Sequence, residues 1–245
     1  SILVLVGFLS WFFTKDNKQE LSLSDGFVIT VLFWIVLSVS GSIPFILFGF
    51  GVVDSFFESM SGITTTGATV IAGLDDLPKS LLIYRQLLQW LGGMGLIVLA
   101  IAVMPLLGIG GGQLFKTQTP GPMSEQRLTP RITSTARALW SIYFVLTVLC
   151  IFAYRLAGMS YFDAVSHAFS TVSIGGFSTH DLSIGFFDSL SIEIVCITFM
   201  LLSAMSFAVH YSAIYRKQVL KYFYDPELRF FVSILAVILG LVCLS

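Results

Sequence analysis

Between Phe27 and Phe48 the sequence runs for 22 residues without one charged side chain. As a helix rising 1.5 Å per residue, such a run is long enough to cross a hydrocarbon core about 30 Å thick. Three more runs have that length, roughly Leu87–Leu107, Ala138–Ala157 and Leu190–Ala213. Apolar stretches also occupy both ends, Ser1–Phe13 and Leu228–Ser245, and read as parts of helices belonging to a longer chain. Only 11% of the 245 residues are charged and 56% are hydrophobic, whereas a soluble domain carries about a quarter charged residues. The fold class that follows is an all-α polytopic membrane protein. A net charge of −1, with no basic stripe, offers nucleic acid nothing to bind.

The polar connections alternate in sign. Lys15, Lys18, Lys116, Arg127, Arg131, Arg137, Lys217 and Lys221 fall in one set, and Asp54, Glu58, Asp75, Asp76, Asp163, Asp181 and Asp188 in the other. The positive-inside rule makes the first set cytoplasmic and the second external. In that orientation two segments are too short for their place. Val53–Ser61 stands between an outward and an inward span yet holds nine residues, less than half a crossing, and Phe162–Thr171 repeats the arrangement. Each is expected to enter from outside, stop midway and return as extended chain, through "GITTTGATV" and "SIGGFSTH" respectively. Non-helical backbone at that depth survives only inside protein or along a wet cavity.

One offset of 109 residues pairs Asp54 with Asp163, Glu58 with His167, Ser61 with Ser170, Thr64 with Ser173, Gly67 with Gly176 and Thr69 with Ser178. The chain therefore divides into the end of a preceding transmembrane helix (1–13), a first pore repeat (26–108), a cytoplasmic connection (109–137), a second pore repeat (138–216) and the start of a third (228–245). Each repeat reads helix, pore helix, filter, helix. Two are complete of an expected four, because a central pore built from such loops wants about four of them.

A monovalent cation crossing lipid must exchange its water shell for other oxygens, and backbone carbonyls supply them without fixed charge. Aiming successive carbonyls at one axis needs backbone angles that glycine adopts cheaply. Thr64, Thr65 and Thr66 add hydroxyls able to satisfy neighbouring backbone groups. A short helix ending at the return segment points the negative end of its dipole toward the pore centre. Asp54 and Asp163 are expected as N-caps of the two short helices.

The segments "SGITTTGAT", "RQLLQWLGGMGLIVLA", "QTPGP…LTPRI" and "SIGGFSTHD" resemble the bacterial Trk-type potassium uptake proteins of the Trk/Ktr/HKT superfamily, over essentially the whole chain. The resemblance implies potassium uptake across the bacterial inner membrane by a multi-pass protein that is not an enzyme, with potassium as transported ion and no covalent cofactor. It implies filter glycines at Gly67 and Gly176, flanked by carbonyls of Thr64, Thr65 and Thr66 and of Ser173, Ile174 and Gly175. It also implies a homodimer docked on a cytosolic nucleotide-binding regulatory ring. With glycine at both 175 and 176, only the offset selects Gly176.

Other residues have competing readings. Gly92, Gly93 and Gly95 serve helix packing or leave room behind the filter. Glu58 either concentrates cations at a pore mouth or stabilises its own helix. Arg85 and Arg155 are expected to snorkel to the headgroups, and His210 to be interfacial. Cys150, Cys196 and Cys243 read as buried small hydrophobes, and His167, His180 and His210 have no zinc-site spacing. Arg127 and Arg131 are expected to help dock the ring. The rival readings are a carrier with re-entrant hairpins, which would want charges at the midplane, and an intramembrane hydrolase using Ser59 or Ser61 with His167 or His210. The duplication disfavours the hydrolase, since one nucleophile would suffice.

Overall fold

The structure is a computed structural model that describes residues 23–103, 128–215, 217–218 and 220–244, together with residues 7 and 12. The end helix expected over 1–13 falls almost wholly outside the described residues. Lys15, Lys18, Lys116, Arg127 and the connection up to residue 127 lie outside them too.

The first repeat consists of α1 (Leu23–Phe48), a short α2 (Val52–Ile63), a return segment with one 3-10 turn at Leu74–Asp76, and α3 (Lys79–Val103). The second has the same order: α4 (Leu128–Leu156), a short α5 (Tyr161–Val172), a return ending in a 3-10 turn at Ser183–Phe187, and α6 (Leu190–Ala204) continued by α7 (Phe207–Tyr215). The one-turn α8 (Lys221–Tyr224) and α9 (Pro226–Leu244) follow. Among the described residues, three helices are long and apolar enough to cross a membrane, with their spans at Phe27–Phe48, Ala136–Leu156 and Pro226–Cys243.

The short helices extend the expected Val53–Ser61 and Phe162–Thr171 by one or two residues at each end. Helix α3 starts eight residues ahead of the apolar run, because Pro78 opens it and its carbonyl accepts from Leu81 and Leu82. Lys79, Arg85, Gln86 and Gln89 lower the hydropathy of that first stretch without interrupting the helix. The expected single span Leu190–Ala213 is instead broken at Met205–Ser206. Neither proline nor glycine marks the break. His210 bridges it: its Nε2 donates to the Leu202 carbonyl at 2.8 Å, which leaves Nδ1 to accept from the Tyr222 hydroxyl at 2.6 Å. His210 is thus buried at 3% exposure and stitches a helix end.

Helix association in lipid gains little from apolar burial and depends on close packing. On α1 the buried stripe is Ser38, Gly41, Ser42 and Phe45. A Cβ on Gly41 would overlap the Ser59 hydroxyl, so its absence lets α2 lie directly on α1. Each repeat has its own apolar core, one around Phe45, Ile63, Leu81 and Leu88 and the other around Tyr143, Tyr154, Met159 and Val172. Cys150 is buried as expected, but Cys196 is half-buried and Cys243 is exposed on α9. Helix α3 joins the repeats, packing on α2 at one side and on α4 and α5 at the other.

Candidate functional site

Both short helices end in the same backbone structure. The Thr64, Thr65 and Thr66 amides donate to the carbonyls of Met60, Gly62 and Ser61. Ser173, Ile174 and Gly175 donate to Phe169, Thr171 and Ser170, each partner displaced by the same 109 residues. This crossed pair of bonds is the Schellman ending, which requires a left-handed residue after the cap. Thr65 takes that role at φ 55° and Ile174 at φ 56°. A β-branched residue there is a true outlier, costing on the order of 1–3 kcal/mol, and such strain collects at functional sites.

Two residues on, the chain turns left-handed again, at Gly67 (φ 78°) and Gly176 (φ 83°). The alternation is what an extended run needs if its carbonyls are to share one side, and glycine takes it without a Cβ penalty. It also separates the two adjacent glycines. Gly176 has the conformation of Gly67, whereas Gly175 has no positive φ and serves space: a Cβ there would come within 2.7 Å of Gln89 Nε2. The two returns lie side by side, since a Cβ on Gly67 would overlap the Gly175 carbonyl oxygen. The hydroxyls turn toward backbone, with Thr64 Oγ1 donating to Met60 at 2.7 Å and Ser173 Oγ to Phe169 at 2.8 Å.

Each return is tied to its own short helix at one matched pair of positions. In the first repeat the Thr69 hydroxyl donates to the Glu58 carboxylate at 2.9 Å. In the second, His167 Nδ1 donates to the Asp163 carbonyl, so Nε2 accepts from the Ser178 hydroxyl at 3.0 Å. Between them stands Arg85, which is fully buried and does not snorkel as expected. Its guanidinium reaches Glu58 at 2.6 and 2.7 Å, the Thr69 hydroxyl at 3.1 Å and the Ser178 carbonyl at 3.1 Å, and stacks over Phe177 at 4.4 Å. Glu58 is equally buried, so it is no surface attractor for cations; its charge is consumed by Arg85. Arg155, by contrast, is exposed, lies over Tyr161 and donates to the Met159 carbonyl.

The glycines of α3 occupy the space behind both returns. A Cβ on Gly92 would fall on the Ile63 carbonyl oxygen, and one on Gly93 would meet the Tyr143 hydroxyl at 2.7 Å and Ser173 at 3.1 Å. Gly95 has only the Phe33 ring at 3.6 Å. Two of the three therefore admit the short-helix ends, and the third is ordinary packing.

Farther along, the loops clasp each other. Asp181 accepts from the Gly73 and Leu74 amides at 3.0 Å each, holding the N-terminus of the first 3-10 turn. His180 bonds Asp75 and stacks on Phe186 at 3.5 Å, and the His180 bond holds the Asp75 carboxyl below its ordinary value. The expected N-caps are displaced: Gly51 and Ser160 hold the cap positions, with Asp54 and Asp163 three residues on. Ser160 caps α5, its side-chain oxygen accepting from the Asp163 amide while its hydroxyl donates to the Asp163 carboxylate. His167 and His210 spend both ring nitrogens on other partners, and neither bonds to Ser59 or Ser61.

Charge pattern and offset found the glycines and the Glu58–His167 match. They missed the Arg85–Glu58 pair and Gln89. A signal existed in that an ionisable residue within a membrane segment needs a named partner, and Glu58 is a candidate of opposite charge.

The class these observations define is a membrane protein that is all-helical among the described residues, with two short helices each ending at a left-handed glycine return. The family described as TrkH, "Cation transport protein", matches residues 1–245, and the chain belongs to it. It is 53% identical over an alignment of 247 residues to "Trk system potassium uptake protein TrkH" of Vibrio parahaemolyticus, covering 99% of this chain and 51% of that protein. It is 54% identical over 238 residues to the TrkH of Halomonas elongata, covering 96% and 49%. It is 48% identical over 236 residues to the TrkG of Escherichia coli K12, covering 95% and 49%. The crystal structure of the potassium transporter TrkH from Vibrio parahaemolyticus superposes with a TM-score of 0.85 at 51% identity, over 99% of this chain and 49% of that one. The chain thus spans about half the length of the curated relatives it matches.

Proposed function

We propose that the chain lines part of a potassium uptake pathway in the bacterial inner membrane, with the ion held by carbonyls of Thr64, Thr65, Thr66 and Gly67 and of Ser173, Ile174, Gly175 and Gly176. The observation that carries this reading is the repeated left-handed pair, Thr65 with Gly67 and Ile174 with Gly176, each set at the carbonyl end of a half-crossing helix. Strained backbone of one form, duplicated at a fixed offset, suits an ion that is read by oxygens alone. The relatives' names as potassium uptake proteins support it. A full ring takes about four such segments, the remainder coming from further repeats. The name "Trk system" fits a multi-component assembly, and we include in the proposal the homodimer and the cytosolic nucleotide-binding ring. A carrier would need midplane charges free to grip its substrate, and Glu58 and Arg85 neutralise each other.

The test is rubidium and sodium uptake by the intact transporter in proteoliposomes, wild type beside Gly67→Ser and Gly176→Ser. Loss of discrimination or of flux in either variant supports the filter. Wild-type behaviour in both would make these glycines packing residues and favour a carrier.

A further inference from the structure

Gln89 belongs to the first repeat's α3, yet it touches the second repeat's return on both sides of Gly176. Its side chain lies against Gly175, where a Cβ would come within 2.7 Å of Nε2. Its Oε1 accepts from the Phe177 amide at 3.1 Å, and all of this is buried, with Gln89 at 0% exposure and Phe177 at 3%. The Phe177 N–H and the Gly176 carbonyl belong to one planar trans peptide, in which they point in opposite directions. Fixing the N–H on Gln89 therefore fixes the Gly176 carbonyl pointing away from α3. That peptide needs fixing, because a glycine at φ 83° has little steric preference of its own and the peptide beside it can rotate. The first return differs: at the matching offset Thr66 and Ala68 are exposed, and neither Gln86 nor Gln89 hydrogen-bonds to them.

We propose that Gln89 is a positioning residue for ion selection: it holds the Gly176–Phe177 peptide so that the Gly176 carbonyl faces the ion, and α3 of one repeat thereby sets the filter of the next. This rests on the filter reading above. Arg85 acts one turn earlier on the same segment, through the Ser178 carbonyl and the Phe177 ring, so the two side chains of α3 hold the peptides on either side of the Phe177–Ser178 peptide.

The experiment compares the rubidium-to-sodium flux ratio of the intact transporter in proteoliposomes for wild type, Gln89→Leu, Gly176→Ser, Gly175→Ala and Gly175→Ala with Gln89→Ala. Gln89→Leu keeps the volume and removes the acceptor. Losing one buried hydrogen bond is expected to lower the ratio on the order of tenfold while rubidium flux persists. A residue needed only for packing would lower yield or total flux and leave the ratio alone. A wild-type ratio in Gln89→Leu, with discrimination lost in Gly176→Ser, overturns the role of Gln89 and keeps the filter. A wild-type ratio in both overturns the filter itself. Should Gln89→Leu fail to assemble, the last two variants decide. Gly175→Ala is expected to impair flux, and adding Gln89→Ala to restore the flux but not the ratio. No restoration, or restoration of both, overturns the proposal.

Discussion

Replacing Glu58 with Gln removes one charge and almost no volume. In the native protein the Glu58 carboxylate receives Arg85 at 2.6 and 2.7 Å, the Thr69 hydroxyl at 2.9 Å and the Val70 amide at 3.2 Å. Every one of these is a donor, so the amide nitrogen of Gln has no acceptor to face. The Arg85 guanidinium, at 0% exposure, is left without its counter-charge. Breaking a buried pair by removing one partner costs about 3–5 kcal/mol, largely the price of the charge left behind. A chain of 150–250 residues shifts by roughly 2–4 °C per kcal/mol and a longer one by less, so the melting temperature of the intact transporter should fall by several degrees. The assay is thermal unfolding of the purified intact transporter, followed by tryptophan fluorescence, for Glu58→Gln, Arg85→Met and the double variant. Removing both charges leaves no buried charge unpaired, so the double variant should recover at least half of the single-variant loss. The reasoning is refuted if Glu58→Gln melts like wild type while its uptake drops in a way that added salt erases. That pattern belongs to an exposed charge screened over a Debye length of about 10 Å.

Two further outcomes follow from named contacts. Gly92→Ala drives a methyl into the Ile63 carbonyl and is expected to destabilise by about 3 kcal/mol or more. Gly95→Ala meets only the Phe33 ring at ordinary distance and should match or slightly exceed wild type, as alanine favours helix by about 1 kcal/mol; equal losses in melting temperature for the two would contradict this. For Asp75, the His180 bond lowers the folded-state pKa below the ordinary carboxylate value of about 3.9. Its contribution is then full above about pH 4 and drains away as pH falls through the lowered value. Melting curves of wild type and Asp75→Asn should therefore differ near neutrality and draw together as pH falls below about 4, and a gap that stays constant through that fall would exclude the mechanism.

What could be read from the sequence was what depends on local period and length. The 22 uncharged residues of Phe27–Phe48 leave a membrane span as the straightforward reading, and the nine residues of Val53–Ser61 are too few to cross as a helix. The offset of 109 chose Gly176 over Gly175, and the matching φ values follow that choice. What stayed hidden depends on pairs distant in sequence. Glu58 and Arg85 are 27 positions apart, and each alone reads as a charge near a membrane surface. Gln89 and Phe177 are 88 apart, and an amide inside a helix announces no partner. The break at Met205–Ser206 has no proline or glycine to announce it, because a histidine side chain replaces the lost backbone bond.

The buried Arg85–Glu58 pair also bears on the order in which a ribosome delivers this chain. Glu58 emerges 27 residues ahead of Arg85, and for that interval its carboxylate lacks the guanidinium that neutralises it in the folded protein. A lone charge at mid-bilayer costs several kcal/mol on insertion scales. Helix α2 therefore gains nothing by leaving the translocon for lipid on its own. It is better held until α3 arrives, so that short helix, return and α3 enter the bilayer as one hairpin with Glu58 and Arg85 already paired. The second repeat carries His167 in place of Glu58 and has no such debt, so its hairpin can enter piecemeal onto a first repeat already seated.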